Sequence, residues 1–418
     1  MDAPPTMTLG PARSTGRVVR PRRALRAGAA QIVAGAVGFA LGVLLPRLGD
    51  GYQVAAVRAV DVLKVVGVGV LSVGTLIFSL LFLVVQWAAG NFSHRLLLFR
   101  SDPLVWRVFA LVVGILVFSV TATLATGSRR TVSVAVPAAA LVLTGAALVL
   151  VRRLLLTALR SIQLAHVLTD LRRRGRNVLL AVYPSTDAVD GRAPDTGENR
   201  RLPDVTSTVV WPDDTVLVAQ VDLLRLVRAA ARADAVVVLK VPVGRPLYRG
   251  DVLAEVRGGR APVPAGEVLG AVVGEPERTF HQDPTLAFRL LSDIGLRALS
   301  PAVHDPATAV QVLDALEDLL RLVAPADLGD VSVTDRDGAV RVVMRLPAWE
   351  EFVRVGLDDL CRAATDAPMV LSRAGELLRR VGEAAEPRRR PGLDQRLAWV
   401  ERELADRHPA FLRGPVDS

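Results

Sequence analysis

Apolar residues fall into long uninterrupted runs in the N-terminal part of this chain and into short periodic patches after it. The run Val65 to Ala89 (VVGVGVLSVGTLIFSLLFLVVQWAA) contains no ionisable residue. At about 1.5 Å of rise per residue it is long enough to cross a hydrocarbon core of about 30 Å. Its central Leu, Ile, Phe and Val each favour insertion by about 0.3–0.6 kcal/mol, several kcal/mol in sum. Three further long apolar runs, none with an Asp, Glu, Lys or Arg at its centre, predict with it four transmembrane helices over 27–45, 65–89, 105–126 and 132–151. Pro137 lies near the start of the fourth, where a lost backbone donor costs least. The run at 27–45 follows RPRRALR as a signal peptide would, but its apolar part exceeds the usual span of about 7–15 residues, so a retained anchor is expected. Trp87 and Trp106 stand where interfacial aromatics belong, and Leu48 to Lys64 reads as a connector at the interface.

The flanks place the rest. Residues 1–26 carry Pro, Gly and Arg without periodicity and read as a disordered basic tail. Arginines in this tail, in the 90–104 connector and after Val151 put both termini and that connector on the cytoplasmic side of a bacterial inner membrane, an even number of spans separating the three. Residues 152–183 form a juxtamembrane helix, and 184–206, rich in Pro, Gly, Asp and Thr, a linker. Residues 207–385 alternate short strands with amphipathic helices and predict a cytoplasmic α+β domain, with 386–418 as a C-terminal helix and tail. Within it, VSVTDRDGAVRVVMRL is a hairpin turning at Asp337-Gly338. Helices are expected at 283–300, 305–323, 348–364, 368–384 and 392–406. The fold class is therefore a four-helix membrane bundle followed by a soluble α+β region.

Composition agrees with this segregation: 51% of residues are hydrophobic, yet 22% are charged, and mean hydropathy is +0.37. The net charge of +9 is almost all arginine, Lys64 and Lys240 being the only lysines. Those arginines flank apolar runs, where they set topology and meet anionic headgroups, so the expected partner is the lipid bilayer and not nucleic acid. One cysteine, Cys361, excludes an intramolecular disulfide and any multi-cysteine metal site. If exposed, it would also report its side of the membrane to an impermeant thiol reagent.

Three clusters could carry chemistry. In 277–308, Asp283 and Asp305 each precede a proline and fit the N-cap role. Arg289, Asp293 and Arg297 share one helix face as an ion-pair ladder, and Ser300 and Thr308 lie nearby. A divalent-metal or polyanion site built with His281 and His304 is the functional alternative to two capped helices, the capped helices being favoured. Ser300 and His304 have only turn spacing, so no triad follows. The stretch VPVGRPLYRGDVLAEVRGG at 241–259 resembles half of a lipoyl or biotinyl carrier barrel. Arg257-Gly258-Gly259-Arg260 replaces the lysine those carriers modify, so a barrel-sandwich-like β-module without cofactor is expected. On the second span, Ser72, Thr75, Ser79 and Gln86 share one face, suiting either a pore lining or helix–helix packing. No nucleophile elbow, P-loop, dinucleotide fingerprint or HExxH is present, and neither metal nor cofactor is expected.

Two stretches, QWAAGNFSHRLLLFRSDP and RTFHQDPTLAFRLLSDIGLRALSPAVHDPATAVQVLDAL, resemble the bacterial predicted membrane proteins grouped as domain of unknown function 2254. The resemblance implies several N-terminal spans in an inner membrane and no assigned activity. Asp283, Asp293, Arg297, Ser300, Asp305 and Thr308 match its pattern; His281 and His304 depart from it, standing where an acidic residue and Asn are common. The leading expectation is a homo-oligomeric channel-like or sensory module. The alternatives are a membrane-anchored enzyme or ligand-binding module using 281–308, and a scaffold for a cytoplasmic partner.

Overall fold

A computed structural model describes residues 6–7, 23–47, 52–91, 103–127, 129–162, 164–183 and 202–409. The chain forms two compact units, one of residues 20–167 and one of 168–418 together with 1–19. Most of the tail expected over 1–26, of the 90–104 connector and of the 184–206 linker lies outside the described residues, but within the tail Thr6–Met7 pair as a strand and the first helix already starts at Arg23, so these parts are ordered by pairing and by the helix that follows. Among those residues four helices are long and apolar enough to cross a membrane: α1 (Arg23–Leu44), α2 (Ala56–Asn91), α3 (Pro103–Thr126) and α4 (Ala135–Ile162).

In the first unit α3 is central and packs on the other three helices. Its Ile115, Phe118 and Ala122 meet Leu63, Val66 and Val70 of α2 and Val136, Ala140 and Ala147 of α4, all buried. The α1–α3 contact depends on glycine. A Cβ on Gly38 would collide with the carbonyl oxygen of Gly114, and one on Gly42 would lie 2.7 Å from Thr121 Cβ. This is the small-xxx-small spacing that lets membrane helices approach closely. Outward, Phe39, Val68, Leu76, Phe82, Val142 and Leu148 are each more than half exposed, a surface suited to lipid and unsuited to water.

The 48–64 stretch departs from an interfacial connector. A short strand β2 (Gln53–Ala55) is followed directly by α2, because Ala56, Ala59 and Leu63 continue the buried face of Val66 and Val70 while Arg58, Asp61 and Lys64 point outward. β2 pairs antiparallel with β3 (Thr131–Ser133), and the Arg129 guanidinium donates to the Pro46 carbonyl. The first and third connectors thus meet at one end of the bundle, as four helices of alternating direction require.

The second unit is mixed helix and sheet. Helix α5 (Leu164–Val182) buries Leu171, Val178 and Leu179. Strand β4 (Val205–Val210) leads to β5 (Val216–Val221), α6 (Leu223–Ala233), β6 (Ala235–Leu239), β7 (Pro246–Leu247), β8 (Val252–Gly258), α7 (Ala265–Leu269) and β9 (Val272–Glu275). Helices α8 (Leu286–Ala298) and α9 (Pro306–Val323) follow, then the hairpin β10 (Val331–Thr334) and β11 (Val340–Met344). α10 (Trp349–Val353) and α11 (Asp359–Ala363) flank a π turn, and α12 (Pro368–Ala384) and α13 (Arg390–Arg407) complete the order.

With β1 (Thr6–Met7) at its edge, one sheet runs β1-β10-β11-β6-β8-β4; a second runs β7-β5-β9. The four-span bundle and the α+β region stand as read from the sequence, but no closed barrel forms among the described strands. The two halves of the barrel-like stretch part company: β7 joins the small sheet and β8 the large one.

Aromatic packing closes the helical layer. Phe288 and Phe352 are fully buried with ring centroids 5.1 Å apart, and Tyr183, just past α5, stands edge-on to Phe352. The Tyr183 hydroxyl donates to the Pro347 carbonyl at 3.0 Å, and burial raises its pKa well above the ordinary phenol value. Arg389 is also buried. It donates to the carbonyls of Val323, Ala324 and Ala326, closing the C-terminus of α9, and lies over the Trp349 ring.

Cys361 is buried and its thiol is pushed up to about 12, so it cannot report topology as an exposed cysteine would. At pH 8 only about one thiol in ten thousand is ionised, and the thiolate is the reactive form. An alkylating reagent is expected to leave Cys361 unmodified in the folded protein and to label it fully in denaturant. Mass spectrometry of the two samples checks this; equal labelling would contradict the packing around α11.

Candidate functional site

The polar residues of 277–308 separate into two local knots. Asp283 was expected to cap a helix, but α8 begins at Leu286 and Asp283 turns inward, 2% exposed. It accepts two bonds from Arg278, at 2.6 and 2.8 Å, and two from the amide and hydroxyl of Thr285, each 3.1 Å. Arg278 also donates to the Thr285 hydroxyl at 2.6 Å. A buried carboxylate is worth more to the fold on a forked guanidinium than on one orphan amide, so the arginine wins over the cap. Gly244 closes the knot from the other side. Its φ is +85°, and a Cβ there would strike the Asp283 carboxylate.

Asp305 does cap its helix. One oxygen accepts from the Thr308 amide at 3.0 Å and the other from the Thr308 hydroxyl at 2.6 Å. The Thr308 hydroxyl, then the amide, hold the Asp305 pKa below the ordinary carboxylate value. A group depressed in the folded state contributes stability above its unfolded pKa, and that contribution is lost as pH falls through its folded value. Asp305→Ala is therefore expected to cost about 1 kcal/mol near neutral pH. The difference from wild type should shrink below about pH 4 as the wild-type carboxylate takes a proton. Thermal melts of both proteins across that range test this, and a pH-independent difference would refute it.

The remaining members are structural in their contacts. Arg289 pairs with Asp293 at 3.0 Å, but Arg297 has no ion pair among the described residues, so the ladder stops at one rung. The Ser300 hydroxyl donates to the Arg297 carbonyl at 2.7 Å. His304 adopts φ +46°, the left-handed region where Asn and His are tolerated best, and His281 lies 3.0 Å from the Thr279 hydroxyl. No three His, Cys, Asp or Glu side chains among the described residues come together to hold a metal.

On α2, Ser72, Thr75 and Ser79 are exposed, and each hydroxyl donates to the carbonyl four residues earlier, at 2.8, 2.9 and 3.0 Å. Gln86 is exposed as well. At about 100° per residue this face lies opposite the one that Leu63, Val66 and Val70 bury. Within one copy these residues line no interior path.

What the sequence did not reveal is a cavity of about 540 Å³ bounded by α5, α9 and α12. Arg172 and Arg176 enter it from α5, Arg321 from α9, and Arg373 and Arg380 from α12. Three carboxylates, Asp314, Glu317 and Asp318, offset these five charges only in part. Glu317 is buried and bonded by Arg373, with Arg321 at 3.7 Å and Arg380 at 3.8 Å. No spacing in the sequence marks this site, since it takes three helices to build.

Residues 26–380 match the family model described as predicted membrane protein (DUF2254). The chain belongs to this family. Among proteins similar to it, uncharacterized protein Rv1290c of Mycobacterium tuberculosis and uncharacterized protein Mb1321c of Mycobacterium bovis are each 28% identical over 361 residues, covering 82% of this chain and 68% of theirs. No solved structure matches the chain. DUF2254 membership agrees with the resemblance read from the 86–103 and 278–316 stretches, and it names a membrane protein without naming an activity.

Proposed function

We propose that this protein is an oligomeric sensory module of the bacterial cytoplasmic membrane, with both termini and the second unit in the cytoplasm. The observation that carries this reading is the position of α5. It begins two residues after the last membrane helix ends, buries its apolar face in the second unit and supplies Arg172 and Arg176 to the charged cavity. A ligand in that cavity would act on the helix that leads directly from the bilayer.

A channel is the second reading, favoured by the exposed Ser72, Thr75, Ser79 and Gln86 face, which a ring of copies would turn inward. Reconstitution in liposomes with ion-flux recording under osmotic, pH and voltage steps separates the two. The sensory reading expects no flux, and a saturable, reproducible conductance would replace it with the channel. Self-association measured in detergent tests the oligomer.

A further inference from the structure

We infer that the cavity between α5, α9 and α12 is a binding site for a phosphate-bearing anion, either a soluble phosphorylated molecule or a phospholipid headgroup. This deepens the sensory reading by naming its ligand class; its test is binding, which the flux measurement does not touch.

The first support is charge. Five arginines face three carboxylates, and the pairing is uneven. Arg373 engages Asp314 at 2.8 Å through Nε and Glu317 through Nη2, while Arg172 reaches Asp318 only at 3.8 Å. Arg176 is exposed at the cavity and has no ion pair among the described residues. A site that served only to neutralise Glu317 would not need it.

The second support is a buried donor. Nη1 of Arg373 is shielded from solvent and has no hydrogen-bond acceptor among the described residues. A buried donor on a charged group, left without an acceptor, is costly and is rarely kept without purpose. Its side chain is held in place by the two carboxylates and is 14% exposed, so the guanidinium is oriented in advance.

The third is chemical fit. Arginine presents a planar fork of N–H donors that matches the oxygens of phosphate, and clusters of arginine are the usual means of recognising it. Arg176 and Arg380 contribute exposed charge at the cavity, and Arg373 is held in place between Asp314 and Glu317. The cavity is large enough for a phosphorylated group beyond phosphate alone. A cation is excluded by the excess of arginine, and an apolar ligand by the charged lining.

The test uses the full chain in an uncharged detergent, with Arg176→Gln and Arg380→Gln as variants whose side chains are exposed. For a soluble ligand, calorimetric titration with pyrophosphate is expected to show saturable binding that weakens about tenfold in each variant, the loss of one charge-assisted bond. For a headgroup, pyrophosphate binding is weak, but the protein in phosphatidylglycerol nanodiscs melts above its value in phosphatidylcholine, and the variants lose that difference. Either pattern supports the site and identifies the source. Absence of both, or responses that the variants leave unchanged, would overturn it. Melting of the variants without anion, equal to wild type, shows that the fold is intact.

Discussion

Gly38→Leu is expected to destabilise the membrane bundle by about 3 kcal/mol, the upper end of what overpacking costs. The new side chain would meet the Gly114 backbone, and backbone atoms of a helix cannot turn aside as a side chain can. α1 and α3 would have to separate, and the close approach at Gly42, where a Cβ would lie 2.7 Å from Thr121 Cβ, would be lost with it. Gly35→Leu is the control, because a Cβ at Gly35 meets nothing within 4 Å. Denaturation of the two variants in detergent should show a large loss for Gly38→Leu and little change for Gly35→Leu. Similar behaviour of the two would mean that α1 does not pack on α3 through this face.

Asp283→Ala is expected to cost about 3 kcal/mol, the low end of what breaking a buried ion pair costs. The low end applies because Arg278 keeps 24% of its side chain exposed and can recover some hydration, while Thr285 loses its acceptor. Adding Arg278→Leu should return part of the loss, since the stranded charge is then removed along with its partner. Thermal unfolding of the single and double variants measures both effects. If Asp283→Ala alters only stability, and neither metal nor nucleotide accompanies the purified protein, the 281–308 enzyme alternative goes. An unchanged melting temperature would instead mean that the Arg278–Asp283 knot holds nothing together.

The membrane helices were legible because hydropathy is a local property, and runs without charge have no competing fold. Their ends were less so. Arg58, Asp61 and Lys64 made the stretch before Val65 look like a connector, yet Ala56, Ala59, Leu63, Val66 and Val70 repeat at helical spacing and show the same face continuing. The Gly38-x-x-x-Gly42 spacing is likewise present in the sequence, but hydropathy does not separate a packing face from a lipid face within one apolar run.

In the second unit, Asp337-Gly338 identifies the hairpin, where Gly338 takes φ +79° and Asp335 accepts from the Asp337 and Ala339 amides. α7 and β9 carry no such mark. They exist because β9 pairs with β5 across a long stretch of chain, a cooperation that no short window contains. Asp305 and Thr308 followed the capping rule, and Asp283 did not, because Arg278 offered its carboxylate a stronger partner. The arginine cavity lay furthest from view, its walls coming from three helices far apart in sequence.

Substituted cysteines test most directly the proposal of four spans with the second unit in the cytoplasm. Cys361 is buried and stays silent in the folded chain. Tyr52→Cys reports the β2–β3 end of the bundle, where Tyr52 is 83% exposed, and Tyr248→Cys reports the second unit, where Tyr248 is 54% exposed. With intact bacterial cells, a membrane-impermeant maleimide is predicted to label Tyr52→Cys and to reach Tyr248→Cys only after the cells are opened. Labelling of Tyr248→Cys from outside, with Tyr52→Cys protected until lysis, would contradict the account.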